Sequence, residues 1–122
     1  MQKISTSGAP AAIGPYSQAV ISGSFCFVSG QIPVNPADGT IPGGIAAQTE
    51  QSCRNAAAIL EAAGTSIEKA VKTTCFIADM DDFSAFNSVY ENFFTGRPAR
   101  SCVAVKDLPK GVLCEIEVIA EI

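Results

Sequence analysis

Gly96-Arg97-Pro98-Ala99-Arg100-Ser101-Cys102-Val103-Ala104-Val105 is the stretch from which the fold is read, with the acidic segment Leu113-Cys114-Glu115-Ile116-Glu117-Val118-Ile119-Ala120-Glu121-Ile122 that follows it. In the first, Gly96 and Pro98 end a helix, and Ser101 to Val105 begins a strand of β-branched and small residues. In the second, alternation puts Val112, Cys114, Ile116, Val118 and Ala120 on an apolar face, turned to the core, and Glu115, Glu117, Ile119 and Glu121 on the other. The two strands read as a terminal hairpin joined through Asp107-Leu108-Pro109-Lys110-Gly111. If Val105 pairs with Val112, Cys102 falls opposite Glu115 and Arg100 opposite Glu117, all on one face; a two-residue slip sets Arg100 opposite Glu115 instead, and both registers stay open.

A cation, a thiol and two carboxylates are thus expected on neighbouring strands. One reading is a solvated cross-strand ion pair, worth about 0–1 kcal/mol. The other has Arg100 present its planar fork to a substrate carboxylate while a glutamate manages a proton or a water. Cys102 lacks a partner base as a nucleophile, because the chain has no histidine, which also removes Ser-His and Cys-His pairs.

Upstream, Asp81 or Asp82 is expected to cap a helix whose Phe83, Phe86, Tyr90 and Phe93 or Phe94 share one face. Asn87 shares it too, and a polar amide there needs hydrogen bonds from backbone or from a ligand at the helix edge. Before this helix, Val71 to Ile77 reads as a strand and Ser66 as the cap of a short turn through Glu68 and Lys69. Earlier still, Ile45, Thr49, Cys53, Ala56, Leu60 and Ala63 recur at helical spacing up to Gly64, a stripe small enough to lie close against a sheet. Ala19 to Ile21 and Phe25 to Val28 flank the turn Ser22-Gly23-Ser24 as a hairpin. Ser29-Gly30-Gln31-Ile32-Pro33 ends it, with Gly30 free either to turn the chain or to let a ligand approach. Gly8 to Tyr16, with two prolines and two glycines, is a loop whose Tyr16 reads as an anchor to the body. The expected order is β-β-β-α-β-α-β-β with a weak opening strand, one α+β domain over residues 1–122.

The chain has 122 residues, 48% of them hydrophobic, enough for one core but small for a deep pocket, so an oligomer that shares its sites is attractive. A net charge of -4 with scattered basic residues disfavours nucleic acid. The first residues lack the apolar core of a signal peptide, and no apolar run reaches the roughly 18 residues of a membrane helix, so an intracellular protein without membrane association is expected. Five cysteines, odd in number and without a C-x-x-C pair, read as reduced and mostly buried thiols rather than as a zinc site.

The segments Ala9-Pro10-Ala11-Ala12-Ile13-Gly14-Pro15-Tyr16-Ser17-Gln18, Ser29 to Pro33, Asn87-Ser88-Val89-Tyr90, Pro98-Ala99-Arg100-Ser101-Cys102-Val103 and Leu108-Pro109-Lys110 with Glu115-Ile116-Glu117 resemble, in that order and spacing, the reactive intermediate deaminase A (RidA/YjgF) family. The resemblance implies a chorismate-mutase-like α+β domain, a mixed sheet packed on two helices, assembled as a homotrimer around a central β-barrel with clefts between subunits. It implies hydrolysis of enamine and imine acids such as 2-aminoacrylate, 2-iminopropanoate and 2-iminobutanoate to 2-keto acids and ammonia in the cytoplasm, with no cofactor and no metal. Arg100 matches the arginine that grips the substrate carboxylate and Glu115 the glutamate that orients or activates water. Tyr16, Ser29, Gly30, Asn87 and Cys102 match positions lining the cleft. The segment Thr95-Gly96-Arg97 is shorter than in many members, and Arg97 brings a second positive charge to the cleft mouth. The competing reading is a trimer that binds 2-keto acids as a regulator or chaperone without turnover; a ribonuclease role is disfavoured by the acidic, histidine-free chain.

Overall fold

The computed structural model describes residues Met1–Ile122. Its strands are β1 (Gln2–Ile4), β2 (Ala19–Ser22), β3 (Phe25–Gln31), β4 (Ala70–Ile77), β5 (Ala99–Ala104) and β6 (Cys114–Glu121), and its helices are α1 (Ile45–Ala62) and α2 (Phe83–Phe93). The element order is the expected one, with short 3-10 turns at Ile67–Lys69, Met80–Asp82 and Pro109–Gly111 added. Mixed α+β architecture follows from one six-stranded sheet, ordered β1-β2-β3-β6-β4-β5, with helices on one side.

The expected β2–β3 hairpin forms around Gly23, whose φ of 59° lies where a side chain is disfavoured. The terminal hairpin does not form. β5 runs parallel to β4, whereas β6 pairs antiparallel with β4 on its other side and with β3 beyond. The physical reason lies in α2: a strand, a helix and a returning strand make a crossover that lays β5 parallel to β4. The connection to β6 then arches over the end of β4, where Val105 N–H donates to Ile77 O at 2.9 Å and Ala78 N–H donates to Leu113 O at 3.0 Å. Register settles the faces. Arg100 pairs with Thr73 and Cys102 with Cys75, and these pair in turn with Val118 and Ile116, so all six share the helix-covered face. Glu115 pairs with Phe76, which pairs with Val103, on the opposite, open face. Neither register considered for a hairpin therefore exists: Cys102 is not opposite Glu115, and Arg100 lies opposite neither glutamate.

The core is the layer between sheet and helices. Cys114, Ile116, Val118 and Ala120 of β6 are buried as the alternation required, and α1 meets them with Cys53, Ala56, Ile59 and Leu60. The small α1 stripe allows close approach, and buried polar groups in it are satisfied: Asn55 donates to the Ile32 and Val34 carbonyls at 3.1 and 2.9 Å. Phe86 and Tyr90 of α2 and Phe94 just past its end stack with ring centroids 5.7 and 4.5 Å apart and complete the layer. Asp82 stands at the N-cap position of α2, as one of the two expected residues, but its side chain makes no capping hydrogen bond; Asp79 caps the preceding turn Met80–Asp82, its carboxylate accepting from Asp81 N–H at 2.8 Å. Cys26, Cys53, Cys75 and Cys114 are buried free thiols, and Cys102 is half-buried. No helix is long and apolar enough to cross a membrane.

Candidate functional site

α2 carries Phe83, Asn87 and Tyr90 at intervals of four and three residues, so the three line one stripe facing β5. Arg100 emerges from β5 onto that stripe. Its guanidinium donates to Asn87 Oδ1 at 2.7 Å, and its central carbon lies 4.8 Å from the Tyr90 ring centroid and 5.4 Å from that of Phe83. Two π faces hold a planar cation well, each contact being worth about 0.5–2 kcal/mol depending on desolvation. Tyr90 is itself held by a 2.7 Å hydrogen bond between its hydroxyl and that of Thr73. The only ion pair in the chain is the exposed Arg54–Glu50, so half-buried Arg100 is oriented by a neutral amide and two rings, with no carboxylate against its charge. Such a guanidinium is a preorganised grip for a carboxylate. It opens on a cleft of about 600 Å³ that Asn87, Arg97 and Pro98 also line.

Cys102, one step along the same face, reaches no base. Burial raises its thiol pKa, with Arg100 opposing, so the group is a neutral neighbour rather than a nucleophile. Behind it, burial pushes Cys75 up to about 12.

Tyr16, Ser29, Gly30 and Glu115 belong to a second group. Between Val28 and Gln31 the β3–β6 register shifts, which places Gly30 beneath the side chain of Glu115. A β-carbon at Gly30 would collide with the Glu115 carboxylate, so the close approach requires glycine. Burial raises the Glu115 pKa above its ordinary value, and the like charge of Glu117 adds to it, so the carboxyl holds a proton more readily than an exposed glutamate. The Ser29 hydroxyl donates to Ser17 O at 2.6 Å, tying the loop of Tyr16 to β3. Gln18 reinforces that loop by donating to the Pro10 carbonyl at 2.8 Å and accepting from Thr6 N–H at 2.7 Å. Tyr16 stays 53% exposed and, with Gly30, lines a smaller cavity of about 270 Å³.

The residues singled out from sequence therefore fall into two half-sites. Arg100, Asn87 and Cys102 stand at the helix-covered side of the sheet, and Glu115, Gly30 and Tyr16 on or beside its open side. Phe83 and Tyr90, whose rings stand against Arg100, read from sequence only as core; their spacing with Asn87 is the available signal.

A family model described as "Endoribonuclease L-PSP" matches residues 6–122. A curated relative from Escherichia coli (strain K12), a 2-iminobutanoate/2-iminopropanoate deaminase, is 54% identical over 96% of this chain and 94% of its own length. Among solved structures, E. coli TdcF with bound serine superposes with a TM-score of 0.96 at 48% identity, covering 100% of this chain and 99% of its own. RidA from an Antarctic Psychrobacter superposes with a TM-score of 0.96 at 42% identity over 100% of both chains.

Proposed function

Because the chain belongs to the YjgF/RidA family, the endoribonuclease L-PSP group, we propose that it hydrolyses reactive 2-imino acids and their enamine tautomers to 2-keto acids and ammonia. The observation that carries this reading is Arg100, a half-buried guanidinium fixed by Asn87, Phe83 and Tyr90 with no carboxylate of its own chain against it. It would bind the carboxylate of 2-aminoacrylate, 2-iminopropanoate or 2-iminobutanoate through paired charge-assisted hydrogen bonds.

Chemistry at such a substrate asks little of the protein. An enamine takes a proton at its methylene carbon to become the imine, whose C=N carbon is already electrophilic. Water adds there, its oxygen forming the new C–O bond as its proton leaves, and the tetrahedral adduct expels ammonia as the carbonyl forms. Neither a metal nor a covalent enzyme intermediate is needed, only a held substrate, an aimed water and a proton carrier. Glu115, with its raised pKa, is suited to accept the water proton and return it to the departing nitrogen. Gly30 leaves space beside that carboxylate, and Tyr16 borders the adjoining wall.

Arg100 and Glu115 face opposite sides of one sheet, so a site using both draws them from two copies of the chain. A homotrimer with clefts between subunits meets that need. The open sheet face supports it, because Phe25 and Phe27 of β3 and Val103 of β5 are each exposed there, apolar side chains that association would cover. The same reading puts the reaction in the cytoplasm, beside the pyridoxal-phosphate enzymes that release such intermediates.

The test is keto-acid and ammonia release when the purified protein is added to a serine or threonine dehydratase. Acceleration that disappears in Arg100→Ala is expected; equal rates with and without the protein would overturn the proposal. Binding of a 2-keto acid with no acceleration would instead favour a regulatory, non-catalytic module.

A further inference from the structure

Arg97 lines the same cleft as Arg100, and we propose that this second guanidinium makes the cleft selective for imino acids carrying a second, distal carboxylate. The inference rests on Arg100 being the grip for the first carboxylate. A cleft shaped for a short alkyl side chain would close around it with apolar walls. This one has only two hydrophobic residues among nine, and Asn92, Thr95, Glu91 and Arg97 supply much of the polar wall beyond Asn87 and Arg100. Its formal charge is two guanidinium charges against one carboxylate, a local excess of one positive charge in a chain of net charge -4. Glu91 forms no ion pair with either arginine, so neither cation is neutralised within the chain.

The turn that carries Arg97 is held in place. Arg97 N–H donates to Phe94 O at 3.1 Å, and its φ is 52°, a left-handed backbone that residues other than glycine seldom adopt. Beside it, a β-carbon at Gly96 would stand 2.6 Å from the Glu68 carbonyl oxygen, so the turn is seated directly on the short helical turn Ile67–Lys69. The Arg97 side chain therefore leaves from a fixed backbone on the wall of the cleft that Arg100 also lines.

Calorimetric titration of the assembled protein with 2-oxoglutarate and with 2-oxobutanoate tests the inference, the two keto acids standing for the dicarboxylic and monocarboxylic products. Wild type is expected to bind 2-oxoglutarate about tenfold more tightly. Arg97→Asn, which removes the charge and suits the left-handed backbone, is expected to erase that preference by weakening 2-oxoglutarate binding about tenfold more than 2-oxobutanoate binding; Arg97→Lys should retain most of it. Equal affinity in wild type, or a preference that survives Arg97→Asn, would overturn the inference and leave the reading of Arg100 intact. No binding of either acid, or binding untouched by Arg100→Ala, would overturn that reading and the inference with it.

Discussion

At Arg100 the physical argument is one of orientation. A guanidinium stacked on Tyr90 and Phe83 and anchored to Asn87 loses little side-chain freedom when a carboxylate arrives. Arg100→Ala is therefore expected to reduce kcat/KM for imine hydrolysis by about a hundredfold or more, and Asn87→Ala by about tenfold, mainly through KM, in initial-rate assays. In the proposed reaction Glu115 would act on the chemical step instead, so Glu115→Gln is expected to retain 2-keto acid binding while kcat falls by about a hundredfold. The same carboxyl leaves a mark on stability. Folding raises its pKa above the ordinary 4.5, through burial and Glu117, so the native state favours the protonated form. That contribution is complete below about pH 4.5 and is lost as pH rises through the native value. Thermal denaturation from pH 4 to 8 should show this decline in wild type and a shallower one in Glu115→Gln. Much of this was legible from residue types and from the family likeness, but the partner of Arg100 was not. Alternation on one strand cannot reveal that a residue of α2, rather than a glutamate of β6, stands against the guanidinium.

At the scale of elements, periodicity carried the helices, the β2–β3 hairpin and both faces of β6, because each depends only on spacing within a segment. Strand order does not: β5 and β6 are neighbours in sequence, which favours pairing them, whereas β4 lies between them. The sign was present in the α2 crossover, which demands a parallel β4–β5 pair and leaves β6 free to insert on the other edge. That order puts Arg100 on one face and Glu115 on the other, a consequence no reading of either strand alone contains. The bulge at Gly30 belongs to this scale too. Gly30→Ala is expected to drive the Glu115 side chain from its position, lowering Tm by several degrees and kcat by at least tenfold, as read by thermal melts and initial rates on one preparation.

At the scale of the whole molecule, the proposed hydrolysis would take place at a site built by two copies of the chain. Phe27→Asp, which sets a charge on the exposed apolar sheet face, is expected to shift sedimentation from trimer toward monomer and to abolish turnover together with assembly, while the helix-side core keeps the monomer folded. The most direct measurement is complementation between two inactive variants. Arg100→Ala and Glu115→Gln, each nearly inactive alone, are denatured, mixed in equal amounts and refolded together. Random assembly pairs an intact Arg100 with an intact Glu115 at about one quarter of the interfaces, so roughly a quarter of wild-type imine hydrolysis is expected to return. Activity no greater than the sum of the two variants refolded apart, in mixed assemblies confirmed by mass spectrometry, would contradict a site shared between subunits.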